Sequence, residues 1–121
     1  MLKITIPYPH IDLNPNRARC LHWGKLSKIR SAARNEAYYE AKAAIGDAIL
    51  NIEGKLEVSI DFYPPNKMRR DLDNAISAFK PYQDGVASAL NVDDSRWKPT
   101  YDLLREQPLN KVVLTIKGCG A

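Results

Sequence analysis

A chain of 121 residues is one domain, long enough for a single hydrophobic core and marginal for two. Its 45% hydrophobic and 26% charged residues are ordinary for a folded globular protein and exclude a disordered chain. The net charge is only +4, no apolar run approaches a membrane span, and two cysteines cannot make a disulfide framework. Met1-Leu2-Lys3-Ile4 opens as a strand, without a charged leader and cleavage site, so the expected compartment is the cytoplasm, with no membrane partner.

In chain order, Leu2, Ile4 and Ile6 alternate with Lys3 and Thr5 and predict a strand over 2–6. Pro7 and Pro9 stop it, and Pro7 through Arg19 reads as a loop containing the turn-rich Asn14-Pro15-Asn16. The longest helical pattern runs from Lys25 to about Leu50. Ile29, Ala33, Ala37, Ala41, Ala44, Ile45 and Ala48 give it one small-residue face, with Lys28, Arg34 and Lys42 on the other side. Residues 56–62 alternate strictly and predict a second strand, stopped by Pro64-Pro65. A second helix starts near Asp73, with Leu72, Ile76, Phe79, Val86 and Leu90 facing inward and Asp73, Ser77, Lys80 and Asp84 forming a polar stripe. Pro81 predicts a kink or restart within it, because an interior proline loses a hydrogen bond at a cost of about 3 kcal/mol. Asn91-Val92-Asp93-Asp94 is a turn, followed by strands near 100–105 and 111–117 and a loose tail, 118–121. The order β-α-β-α-β-β predicts a single α+β domain, with one mixed sheet and both helices packed on it.

The segment Arg69-Arg70-Asp71-Leu72-Asp73-Asn74 carries the most chemistry. On an extended segment Asp71 and Asp73 point to one side and repel each other unless a cation lies between them. Such oxygen clusters suit Mg²⁺, which takes one or two carboxylates and keeps several waters. The structural alternative is an Asp-rich turn capping a helix. Asp93-Asp94 follows about twenty residues later, with Lys80 between the two acidic groups. Three carboxylates around a metal would polarise a phosphate and activate water, and a nearby lysine would stabilise the developing charge. His10 and His22 are rivals for a general base, and Cys20-Leu21-His22 lacks a second ligand pair at zinc spacing.

The basic residues are unevenly placed. From Leu13 to Asn35 there is no carboxylate, yet Arg17, Arg19, Lys25, Lys28, Arg30 and Arg34 all lie there. Lys67, Arg69 and Arg70 form a second basic group directly before the aspartates. Runs of charge are commonly plain solvated surface, but a one-signed stretch beside an acidic cluster points to nucleic acid.

Taken together, Arg69-Arg70-Asp71-Leu72-Asp73-Asn74, Lys80-Pro81-Tyr82-Gln83-Asp84-Gly85 and Asp93-Asp94-Ser95 resemble the RusA family of Holliday junction resolvases. The opening strand into Pro7 and Leu13-Asn14-Pro15-Asn16-Arg17 also fit, so the resemblance runs over most of the chain. It implies a small dimeric Mg²⁺-dependent endonuclease, of a kind common in phages and prophages, that cuts four-way DNA junctions symmetrically in recombination and repair. It also implies Asp71, Asp73 and Asp94 as metal-binding catalytic carboxylates and Lys80 as the catalytic lysine, with Asp93 as the alternative third ligand. One departure stands out: the best-known member has its lysine one helical turn after the second aspartate, where this chain has Ser77. Lys80 is nearly two turns on, and its spacing to Asp84 fits the family pattern. The expectation is therefore a homodimeric junction resolvase that holds phosphates with its basic stretch. A flap or fork endonuclease and a non-catalytic DNA-binding module are the alternatives.

Overall fold

The alternation of Leu2, Ile4 and Ile6 produces β1 (Leu2–Pro7) in a computed structural model that describes residues 2–48, 52 and 54–117. Ile4 and Ile6 are fully buried while Lys3 and Thr5 face solvent, as a period of two requires. The same alternation makes β2 (Leu56–Tyr63), β3 (Trp97–Leu103) and β4 (Lys111–Lys117). The spatial order is β1-β4-β2-β3. β4 runs antiparallel to both neighbours, with Leu114 opposite Ile4 on one side and Ile60 on the other. β2 and β3 are parallel, with Leu56 paired to Trp97, so the chain must cross over between them.

Three helices join the strands: α1 (Pro15–Ala18), α2 (Trp23–Ile45) and α3 (Leu72–Leu90), the last being the crossover from β2 to β3. The long pair, α2 and α3, lie together and cover the apolar face of the sheet. Val58, Ile60, Phe62, Val112, Leu114 and Ile116 point into that layer from the strands, and Phe79 and Val86 meet them from α3. Phe62 stands edge-on to Phe79 with ring centroids 5.5 Å apart. Each such fully buried side chain contributes roughly 1.5–3 kcal/mol. This is the expected α+β domain with one mixed sheet.

Several expectations need correction. The segment expected as loop from Pro7 to Arg19 contains a 3-10 turn (Ile11–Leu13) and the single helical turn α1. Asn14 caps α1 by accepting the Asn16 N–H at 3.0 Å, and Pro15 takes the first helical position, where it loses nothing. α2 begins two residues earlier than expected and stops at Gly46, whose φ of 61° favours glycine. Ala48 lies beyond the helix and is exposed, Ala44 is exposed within it, and Ala33, Ala37 and Ala41 are buried. The expected helix end at Leu50 and the tail 118–121 lie outside the described residues. Pro81 neither ends nor restarts α3, which is one helix throughout. The lost hydrogen bond belongs to the carbonyl of exposed Ser77, and buried Phe79, Tyr82 and Val86 hold both sides of the proline in register.

Gly85 sets how closely α2 and α3 approach. A Cβ placed there would lie 2.2 Å from the Arg34 carbonyl oxygen and 3.1 Å from the Ala37 Cβ. Gly85→Ala should therefore push the helices apart and lower stability by about 1–3 kcal/mol, the usual cost of overpacking. Chemical denaturation checks this, and an unchanged midpoint would show that the crossing is slack.

Candidate active site

The two motif aspartates lie at the junction between the Pro64–Arg70 loop and α3, not on one extended segment. Asp71 is the last extended residue (φ −93°, ψ 127°) and occupies the N-cap position, while Asp73 is already in the first helical turn. Both side chains are exposed. A capping aspartate would accept an N–H from the first turn. Asp71 makes no such bond. Capping therefore does not account for it, whereas Asp73 gains from the positive end of the helix dipole whatever else it does.

Lys80 lies seven residues beyond Asp73, about 10 Å along the helix, on the same exposed stripe. Its Nζ donates to Asp84 Oδ1 at 3.0 Å and to Asp94 Oδ2 in a close ion pair. Asp94 opens a 3-10 turn (Asp94–Arg96) just after α3, so the chain does turn back to deliver it. Gln83, only 8% exposed, donates to the same Asp94 oxygen at 3.4 Å and accepts from the Tyr101 hydroxyl at 3.2 Å. Asp93 points into a different arrangement, accepting from Ser95 Oγ at 2.8 Å.

The structure thus brings Lys80, Asp84 and Asp94 together. It does not bring Asp71 and Asp73 to Asp94: among the described residues no three His, Cys, Asp or Glu side chains form a group that could hold a metal. Asp71 and Asp73 remain hard oxygen donors of the kind Mg²⁺ uses, and that ion needs no more than one or two carboxylates from the protein. Both are exposed, whereas Asp94 is committed to the lysine.

Charge pairing tunes the cluster. The hydrogen bond with Asp94 raises the Lys80 pKa above its ordinary value, burial opposes it, and Asp84 adds to the rise. The same bond, helped by Gln83, holds Asp94 below the usual carboxylate range. Lys80 is accordingly a fixed cation, not a base, at neutral pH. A depressed carboxylate contributes stability above its unfolded pKa and loses it as pH falls through the folded value. The melting-temperature difference between wild type and Asp94→Asn should stay level from about pH 5 to 9 and shrink steadily as the pH falls from about 4 through the lower folded value. A difference that does not shrink as the solution is acidified would mean the ion pair is not its source.

Both histidines have structural roles. His10 Nδ1 accepts the Asp12 N–H at 3.1 Å, and His22 Nδ1 accepts the Gly24 N–H at 3.1 Å to cap α2. The basic residues Arg17, Arg19, Lys25, Lys28, Arg30, Arg34, Lys67 and Arg69 are exposed, with Arg70 partly covered. Arg34 shares a cleft of about 460 Å³ with Asp84, Asp93 and Asp94, which sets a phosphate-binding candidate beside the carboxylates.

At 40% identity over 121 residues, the chain is similar to a protein of Xylella fastidiosa (strain Temecula1 / ATCC 700964), covering 98% of this chain and 77% of that one. The chain belongs to the family of that Xylella protein. The relative is described as an uncharacterized protein, so membership of its family brings no activity with it. No protein-family model matches the chain. Among the described residues, no helix is long and apolar enough to cross a membrane.

Three residues escape a reading of the sequence: Gln83 and Tyr101 behind Asp94, and Asp12 behind Arg17. Gln83 stands three residues after Lys80, a spacing that puts the two on one side of a helix and was a usable signal. Asp12, 8% exposed, pairs with Arg17 Nε at 3.0 Å, and only the fold shows that it is buried.

Proposed function

We propose that this chain is a Mg²⁺-dependent, structure-selective DNA endonuclease of the RusA kind that resolves Holliday junctions as a homodimer, phage- or prophage-encoded and acting in the bacterial cytoplasm. The observation that carries the reading is Asp71, an aspartate in the N-cap position that does not cap. With Asp73 it offers two exposed carboxylates, and the same helix presents a lysine held in place by Asp84 and Asp94. Asp71 and Asp73 would hold the ion, which when bound would supply charge to polarise the scissile phosphate and its attacking water. The chain's own part is to position DNA through the basic surface of α1 and α2. Lys80 places a cation where negative charge develops on the phosphate. Two-fold symmetry of the dimer would supply the second cut.

The test is a synthetic four-way junction incubated with and without Mg²⁺, beside flap, fork and duplex substrates of the same sequence. Paired symmetric nicks in the junction, dependent on the metal, are expected. Faster cutting of flaps or forks would move the assignment to another branched-DNA nuclease. Binding with no cutting of any substrate would leave a non-catalytic DNA-binding module.

Junction binding should also weaken steeply with salt, because several phosphates are neutralised and counterions released. Arg30 and Arg34 are both exposed on α2, and changing the pair to Glu should lower affinity and flatten that slope without changing the fold. A wild-type affinity that ignores salt would mean that this surface is only solvated.

A further inference from the structure

Beside Asp71 a cavity of about 760 Å³ opens between the Tyr8–Arg17 segment, the Pro65–Arg70 loop and the first turns of α3. Its lining divides by chemistry. Tyr8, Met68 and Ala75 offer an apolar wall, Arg17 and Arg70 offer positive charge, and Asn74 offers a side-chain amide.

Both guanidinium groups are fixed from behind. Arg17 Nε donates to buried Asp12 at 3.0 Å, and Arg70 Nη1 donates to the carbonyls of Asn66 and Met68 at 3.1 and 3.0 Å. The loop carrying Arg70 is itself held in a turn, with Asn66 Oδ1 accepting the Met68 N–H at 3.0 Å. Tyr8 is braced edge-on against Phe62, centroids 6.5 Å apart, and the neighbouring His10 N–H donates to the Tyr82 hydroxyl at 3.0 Å. The walls are therefore set before any ligand arrives, which reduces the ordering cost of binding.

Size and chemistry together select the occupant. The volume falls in the roughly 300–1,000 Å³ range of small-ligand sites. A phosphate alone would leave the apolar wall unused, and an apolar ligand would leave the Arg70 charge, held only by neutral carbonyls, without an anion. One nucleotide uses all three walls: phosphate on arginine, base face on Tyr8 and Met68, base edge on the Asn74 amide. We infer that this cavity receives a single unstacked nucleotide next to the phosphate to be cut. The inference rests on the nuclease reading and adds to it a source of local base preference. Pulling a base from the stack costs a few kcal/mol, and least where pairing is already interrupted, as at a branch point. Branch geometry and base identity would then be read at one site.

Two measurements test the cavity without relying on cleavage. In the first, the isotope-labelled protein is titrated with each deoxynucleoside 5′-monophosphate and with inorganic phosphate, following backbone amide resonances. Saturable shifts at Tyr8, Arg70 and Asn74 are expected, with at least one mononucleotide binding tenfold or more tighter than phosphate. Ala75→Leu should fill the cavity and reduce that affinity at least tenfold. Met68→Glu, at an exposed position that the fold does not depend on, should do the same by charge. In the second, a four-way junction carrying 2-aminopurine at successive positions is bound in EDTA. A fluorescence rise at one position, absent with Met68→Glu, is expected.

Equal shifts from phosphate and mononucleotides, or no fluorescence change at any position, would overturn the inference while junction cutting by the same protein upheld the nuclease reading. Saturable, base-dependent binding by a protein that cuts no branched DNA would do the reverse, leaving a nucleotide site without the nuclease.

Discussion

Asp71→Asn and Asp73→Asn are each expected to lower Mg²⁺-dependent junction cleavage by about three orders of magnitude, the several kcal/mol that a metal ion supplies to a phosphoryl transition state. Asparagine keeps the size of the side chain and removes the charge that would hold the ion. Junction affinity should be unchanged or higher, because a negative charge facing the phosphates is gone. The fold should survive both changes: Asn is as good as Asp at an N-cap, and Asp73 contributes about 0.3–1 kcal/mol through the helix dipole. That contrast separates chemistry from structure. Retained cleavage in both variants, with slightly lower stability for Asp73→Asn, would reduce the motif to a helix start.

Lys80→Ala should cost about a hundredfold in cleavage rate, as expected when a positioned charge beside a developing oxyanion is lost. Mg²⁺ affinity should persist, since the lysine acts on phosphate. Little stability should go with it, because the Lys80 side chain is about half exposed (53%) and surface ion pairs contribute modestly. The double variant Ser77→Lys/Lys80→Ala asks whether position or identity matters. α3 is unbroken through Pro81, so residues 77 and 80 lie on one exposed stripe, a turn apart. Recovery of rate in the double variant would mean that both turns face the phosphate. A Lys80→Ala enzyme as fast as wild type would make the lysine a structural partner of Asp94 and nothing more.

What could be read in advance followed the range of each interaction. Alternation in Leu2–Ile6 and Leu56–Phe62 is set by neighbours two residues apart, and it gave strands where the structure has them. Pro81 did not restart the helix, because buried Phe79, Tyr82 and Val86 hold both sides of it by tertiary contact. The helical turn at Pro15 was signalled by Asn14-Pro15 but obscured by two earlier prolines. The sheet order was not legible, since pairing β1 with β4 joins residues more than a hundred positions apart. The site divides the same way. Asp71, Asp73, Lys80 and the pair Asp93-Asp94 stood out by type and spacing, and the choice of Asp94 within the pair came from the family resemblance. The commitment of Asp94 to Lys80, the Gln83–Tyr101 link behind it and the separation from Asp71 and Asp73 all depend on folding.

The contact at Gly85 works as a calliper. Flexible side chains would let the basic helix drift relative to the acidic one, but at Gly85 there is no room even for a Cβ against the Arg34 carbonyl, so Arg34 and the neighbouring Asp84 are gauged against each other by main chain. A backbone gripped through Arg34 would therefore meet Asp84, Asp93 and Asp94 at a reach that surface mutations can hardly alter. Changing the spacing between Arg34 and those carboxylates would require moving a helix, and one added methyl group at position 85 is a small lever that does it.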